Sequence, residues 1–197
     1  MPCLSEVYAD ASTTSSRKVD ETMNIQHSSR SDRWFTPPHI IQLCKHVLGE
    51  IEFDPASEPD ANQIVQAASY FDEADDGLIK EWPVGCTVFL NPPGSKRANK
   101  SIAALFWARL MDYRRAGSLK HAIYMGFSLE QLAVSQKYHD DSMLLFPMCV
   151  PSERIKFVSP DARKTAPSHS NVIVYVPGSI DRSGQFRVTF SSLGVTR

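Results

Sequence analysis

Cys86-Thr87-Val88-Phe89-Leu90-Asn91-Pro92-Pro93-Gly94 decides how this chain is read. Its first five residues form a compact apolar run, the pattern of a buried strand. Pro92 and Pro93 stop that strand, because consecutive prolines cannot continue a central ladder. Upstream, Thr36 is placed as the N-cap of a helix that runs through residues 39–48 and stops at Gly49. Ile51-Glu52-Phe53 reads as a short strand ending at Asp54-Pro55, and residues 59–69 as a helix with Ala61, Ile64, Val65 and Ala68 on one face. Downstream, residues 102–116 read as an amphipathic helix, 121–126 as a strand and 129–138 as a short helix. Two late strands are expected at 143–146 and 171–176, with an edge strand at 186–190. Strands alternating with helices predict an α/β fold, its sheet mostly parallel with antiparallel C-terminal strands.

The 197 residues carry 21 Lys+Arg against 22 Asp+Glu, with 42% hydrophobic residues. That length suits one domain or one domain plus a tail, with a sizeable core. Residues 1–31 are rich in Ser and Thr and poor in periodic apolar positions, so a disordered arm is expected ahead of a domain over 32–197. No apolar run reaches membrane-spanning length and no signal-like segment opens the chain, so no membrane association is expected. Cys3, Cys44, Cys86 and Cys149 are far apart, without C-x-x-C or His at ligand spacing. They read as thiols in a reducing cytosol, and no metal is expected.

Two strand ends carry unusual chemistry, and ligands of open α/β sheets bind beyond the carboxyl ends of strands. Asp54, ahead of Pro55 and Ala56, can accept hydrogen bonds from ribose hydroxyls, attract a cation, or simply form an Asx turn. Asn91 and the Pro92 carbonyl, fixed by the proline turn, can act as paired acceptors for an amino group with two hydrogens. The same triplet also suits a plain proline turn.

Taken together, Trp34-Phe35-Thr36-Pro37-Pro38, Phe53-Asp54-Pro55-Ala56-Ser57, Asp75-Asp76-Gly77-Leu78, Trp82 and Asn91-Pro92-Pro93 resemble the phage-type DNA N-6-adenine methyltransferases. Arg154-Ile155-Lys156-Phe157 and the segment from Ala166 to Tyr175 resemble that family's C-terminal part. The likeness covers roughly residues 33–177 in the family's order. It implies a Rossmann-like sheet, S-adenosylmethionine as cofactor, DNA as partner, and a phage- or prophage-encoded enzyme in the cytoplasm of a bacterial host. By the same resemblance, Phe35, Thr36 and Pro37 would lie against the methionine end of the cofactor. Asp54, Pro55 and Ala56 would form the cofactor loop, Asp75 or Asp76 would meet the adenosine part, and Asn91, Pro92 and Pro93 would hold the target amine. A duplex base would have to be flipped out to reach them.

Two departures from that pattern stand out. Ser57, Glu58 and Pro59 replace the expected glycines after Asp54, which leaves open whether Asp54 meets the amino-acid end or the ribose. Gly94 stands where an aromatic ring would stack on the target base, a contact worth about 1–3 kcal/mol. Phe106, Trp107 or Phe127 could supply the ring instead, the target could differ from adenine, or the protein could bind without methylating. The other readings are therefore methyl transfer to an amino group of RNA or a protein amide, and a non-catalytic DNA-binding protein of this fold.

Charge is unevenly spread. Residues 50–82 hold ten acidic residues and one Lys, whereas residues 95–120 hold seven basic residues and one Asp. Lys96, Arg97 and Lys100, directly after the proline turn, are expected to contact substrate, with Gly94 giving close backbone access. Arg154, Lys156, Arg163 and Lys164 are candidates for a second basic arm.

Overall fold

A computed structural model describes residues 34–159 and 169–197. The predicted arm 1–31, together with Arg163, Lys164 and Ala166-Pro167-Ser168, lies outside the described residues. In chain order the elements are α1 (Pro38–Leu48), β1 (Phe53–Asp54), α2 (Pro59–Val65), β2 (Ser69–Tyr70), β3 (Cys86–Leu90), β4 (Lys96–Arg97), β5 (Lys100–Ser101) and α3 (Ile102–Arg115). There follow β6 (Leu119–Gly126), α4 (Glu130–Ser135), two 3-10 turns (Gln136–Asp141 and Met143–Leu145), β7 (Met148–Pro151), β8 (Val172–Pro177), α5 (Ser183–Phe190) and β9 (Gly194–Thr196).

Seven strands form one mixed sheet in the order β2-β1-β3-β6-β8-β7-β9. The pairings β2–β1, β1–β3 and β3–β6 are parallel; β6–β8, β8–β7 and β7–β9 are antiparallel. Five strands therefore point one way, and β8 and β9 the other. The expected α/β sheet with antiparallel C-terminal strands is present, and its arrangement is compatible with a Rossmann-like fold.

Alternate residues of the strands feed two cores. Phe53, Val88, Leu90 and Tyr124 pack with Phe106, Trp107 and Leu110 of α3. Phe89, Ile123 and Tyr175 pack on the other face with Ile40 and Cys44 of α1 and Phe186 and Phe190 of α5. The layers are thus helix, sheet, helix. Cys44, Cys86 and Cys149 are buried free thiols, and burial raises the pKa of all three, the latter two to about 11.

Several sequence expectations are corrected. Thr36 is not the N-cap of α1; Pro37 occupies that position, and the Thr36 hydroxyl is engaged elsewhere. The helix expected over 59–69 ends at Val65, because Gln66 turns left-handed and the Asn62 side chain binds both backbone groups of Ala67. The strand expected at 143–146 is a 3-10 turn that leaves Leu145 63% exposed, and the strand begins at Met148 instead. Residues 186–190 are part of helix α5 rather than an edge strand. Phe186, Val188 and Phe190 fit a two-residue period, but Phe186 and Phe190 also fit a helical turn, and Val188 is 77% exposed. The helix expected over 129–138 stops at Ser135 and continues as a 3-10 turn.

The hairpin β4–β5 was not expected from the sequence. Arg97 pairs with Lys100 across a two-residue turn whose Ala98 and Asn99 have φ of 48° and 63°. A left-handed conformation at both positions matches the twist of a tight hairpin, but Ala lacks the freedom of Gly or Asn there. Ala98→Gly is expected to raise unfolding stability by up to about 1 kcal/mol, readable in a urea melt.

Candidate active site

The chain runs from β1 outward to β2, then returns to place β3 on the other side of β1. Such a reversal of winding opens a crevice at the carboxyl ends of the two strands flanking it. Asp54 ends β1 and Leu90 ends β3, so the two loops singled out by sequence, 54–56 and 91–94, flank that crevice.

Asn91 is held by the N-terminal segment. Its Nδ2 donates to the Trp34 carbonyl (3.2 Å) and to Thr36 Oγ1 (3.1 Å). Both amide hydrogens are thereby taken, and a backbone carbonyl acceptor fixes which end of the amide is nitrogen. Among the described residues, no hydrogen bond is made to Asn91 Oδ1 or to the Pro92 carbonyl. The Phe35 backbone forms a bridge with Val158, at 2.7 and 2.9 Å, which anchors the segment that carries Thr36. Thr36 and Pro37 are buried, and Phe35 is half-buried.

Asp54 is buried, and its Oδ1 accepts from the Ala56 N–H at 3.0 Å in an Asx turn. Burial pushes its carboxyl up to about 7, against the hydrogen bond from Ala56. The loop 75–77 closes on the same turn: a Cβ at Gly77 would lie 2.0 Å from the Pro55 carbonyl oxygen, so only glycine permits this approach. The structure thus brings Pro55 and the Asp75-Asp76-Gly77 loop together. Both acidic side chains are engaged, Asp75 with Lys80 at 2.6 Å and Asp76 with Arg97 at 3.1 and 2.7 Å. These cations hold the two carboxyls below the usual carboxylate range.

Most of the basic stretch is used within the protein. Arg109 donates to the carbonyls of Ile79 and Lys80 and lies over the rings of Trp82 and Tyr113. Arg114 donates to the Pro177 carbonyl, Arg115 pairs with Asp112 and Asp141, and Lys120 pairs with Glu52. Lys96 and Lys100 form no ion pair among the described residues, and both are exposed, as are Arg154 and Lys156.

The three aromatic candidates separate clearly. Phe106 and Trp107 are core residues. Phe127, in the loop after β6, is half-buried beside Gly94, with the His169 ring edge-on at 6.4 Å.

In comparisons with known proteins, no family model, no curated protein and no solved structure matches this chain. Among the described residues, no helix is long and apolar enough to cross a membrane, and no group of three or more His, Cys, Asp or Glu is placed to hold a metal ion.

Asp54 makes a pH prediction with a definite sign. The unfolded carboxyl loses its proton near 3.8 and the folded one near 7, so its contribution favours folding at acid pH and is lost as pH rises between those values. Asp54→Asn keeps the Asx acceptor without the charge. Thermal melts should show the variant more stable than the parent by on the order of 2 kcal/mol above neutrality, with little difference at about pH 3.5.

Proposed function

We propose that this protein is an S-adenosylmethionine-dependent methyltransferase acting on the exocyclic amino group of adenine in DNA. The carrying observation is the Asn91 amide: its nitrogen is spent on Trp34 and Thr36, which leaves Oδ1 and the neighbouring Pro92 carbonyl as two acceptors beside the crevice. Two acceptors suit an amino group with two hydrogens.

The crevice also suits the cofactor chemically. Asp54 has one carboxyl oxygen outside its Asx turn, and a cationic ligand would favour its ionised form. Thr36, Pro37, Asp54, Pro55 and Ala56 would hold this group, with the 75–77 loop closing beside them and Phe35 at the outer side. When bound, the cofactor supplies an electrophilic methyl group on a sulfonium.

An adenine amino nitrogen is a weak nucleophile because its lone pair is delocalised into the ring. Hydrogen bonds from its two hydrogens to Asn91 Oδ1 and the Pro92 carbonyl would favour a pyramidal nitrogen and fix its direction of attack. As positive charge develops on the nitrogen, the same acceptors bind its hydrogens more strongly. The nitrogen becomes acidic only after it has gained the methyl group, so its proton can pass to water without a strong base held at the site. The rigid turn at Pro92-Pro93 sets this geometry before substrate arrives.

A methylation assay on single- and double-stranded DNA tests the reading, with nucleosides resolved by mass spectrometry. N-6-methyladenine should form, and Asn91→Ala should lower its rate of formation by about 100-fold or more. Absence of cofactor binding in the parent protein would defeat the proposal. Methyl groups found on RNA or on a protein amide, with none on DNA, would transfer it to another amino target.

A further inference from the structure

Building on the methyltransferase reading, we propose that Arg97 is a positioning residue for the cofactor rather than a contact to nucleic acid. From the hairpin it holds the 75–77 loop closed on the turn at Asp54-Pro55-Ala56, and so sets the affinity for S-adenosylmethionine. The feature that carries this is a forked ion pair. Arg97 Nη1 and Nη2 donate side by side to Asp76 Oδ1 and Oδ2, at 3.1 and 2.7 Å. Among the described residues, no other hydrogen bond or ion pair ties Arg97, Ala98, Asn99 or Lys100 to a residue outside the hairpin.

On the loop side, Asp76 organises the backbone that meets the cofactor turn. Its φ is 54°, a left-handed conformation that Asp adopts more readily than most residues. Asp76 Oδ1 also accepts from the Leu78 N–H at 3.2 Å, and the Asp76 carbonyl accepts from Ile79 and Lys80 at 2.8 and 2.9 Å. Next in the chain is Gly77, whose main chain lies so close to the Pro55 carbonyl that no Cβ fits. The Gly77 carbonyl in turn accepts from the Trp82 indole at 2.7 Å. One carboxylate thus shapes the loop where it touches the turn, and Arg97 fixes that carboxylate by both oxygens.

The hairpin side explains why the pair forms. Arg97 and Lys100 are cross-strand partners, so two cations stand on one side of the ribbon. Like charges placed opposite one another are unfavourable, and the Asp76 carboxylate supplies the counter-charge. Lys96, one residue earlier in the strand, projects to the other side. The fork matters as much as the charge: a guanidinium matches both carboxylate oxygens at once, whereas an ammonium acts as a point charge.

Calorimetry with S-adenosylmethionine is the first test, on the parent, Arg97→Ala, Arg97→Lys, Asp76→Asn and the double variant Arg97→Ala/Asp76→Asn. Asparagine keeps an acceptor for Leu78 and tolerates the left-handed conformation, so it removes the charge alone. Arg97→Ala and Asp76→Asn should each weaken cofactor binding about fivefold, and the double variant no further, because both changes break one pair. Arg97→Lys, which keeps the charge without the fork, should still bind more weakly than the parent. Hydrogen exchange should find the amides of Leu78, Ile79 and Lys80 less protected in Arg97→Ala, with or without cofactor. A duplex oligonucleotide titrated across salt concentrations reads the competing role. Arg97→Ala should leave the slope of log affinity against log salt unchanged, whereas loss of a phosphate contact would flatten it by about 0.9. The inference is overturned if Arg97→Ala binds the cofactor as tightly as the parent, if the two single losses add in the double variant, or if the salt slope flattens and Arg97→Lys restores it. A parent that binds no S-adenosylmethionine would defeat the methyl-transfer reading instead. Unchanged exchange at the three amides would then overturn the hold of Arg97 on the loop by itself.

Discussion

Two hydrogen bonds from one side-chain amide hold this site together. Asn91 Nδ2 reaches the Trp34 carbonyl and the Thr36 hydroxyl, joining a segment that precedes the first helix to the end of a central strand. Among the described residues, the bridge between Phe35 and Val158 also anchors this segment. Because Thr36 serves Asn91, it does not cap α1, and the helix begins at a proline that lacks the N–H a cap would satisfy. Orientation of the amide, burial of Thr36 and the start of the helix thus share one cause. The orientation of the Asn91 amide depends on both partners, since a freely rotating amide would offer a donor as often as an acceptor.

The parts of the fold legible in the sequence were those where one period had no rival. Cys86–Leu90 is apolar at every position, and the strand is buried at every position. Phe186–Phe190 satisfied two periods at once, and tertiary packing of Phe186 against Phe190 and Tyr175 chose the helical one. The hairpin β4–β5 had no legible signal, because Ala98-Asn99 lacks the glycine that normally marks such a turn. Within the site, both strand-end loops could be found from composition and position alone. Phe127 could be shortlisted because it is aromatic, but only the fold shows that Phe106 and Trp107 are spent in the core.

Charge followed a similar course. The acidic and basic stretches are opposed in sequence, and much of that opposition is discharged internally. Asp76 takes Arg97, Glu52 takes Lys120, and Asp112 and Asp141 share Arg115. Among the described residues, Lys96 and Lys100 on the hairpin after the proline turn are exposed and form no ion pair. A near-zero sum conceals a small, local positive field beside the crevice, and exposed charges of this kind act over about a Debye length.

The hairpin tip has a further thermodynamic meaning. Ala98 and Asn99 occupy conformations that most L residues avoid, and Arg97 is clamped in two places by Asp76. Lys96 and Lys100 therefore project from backbone whose freedom was surrendered when the chain folded. A polyanion meeting them would find the spacing of their attachment points already set, and would owe little entropy for ordering the strand beneath them. Flexible basic tails gain reach by leaving that cost to the moment of contact; this short, bent ribbon does the reverse.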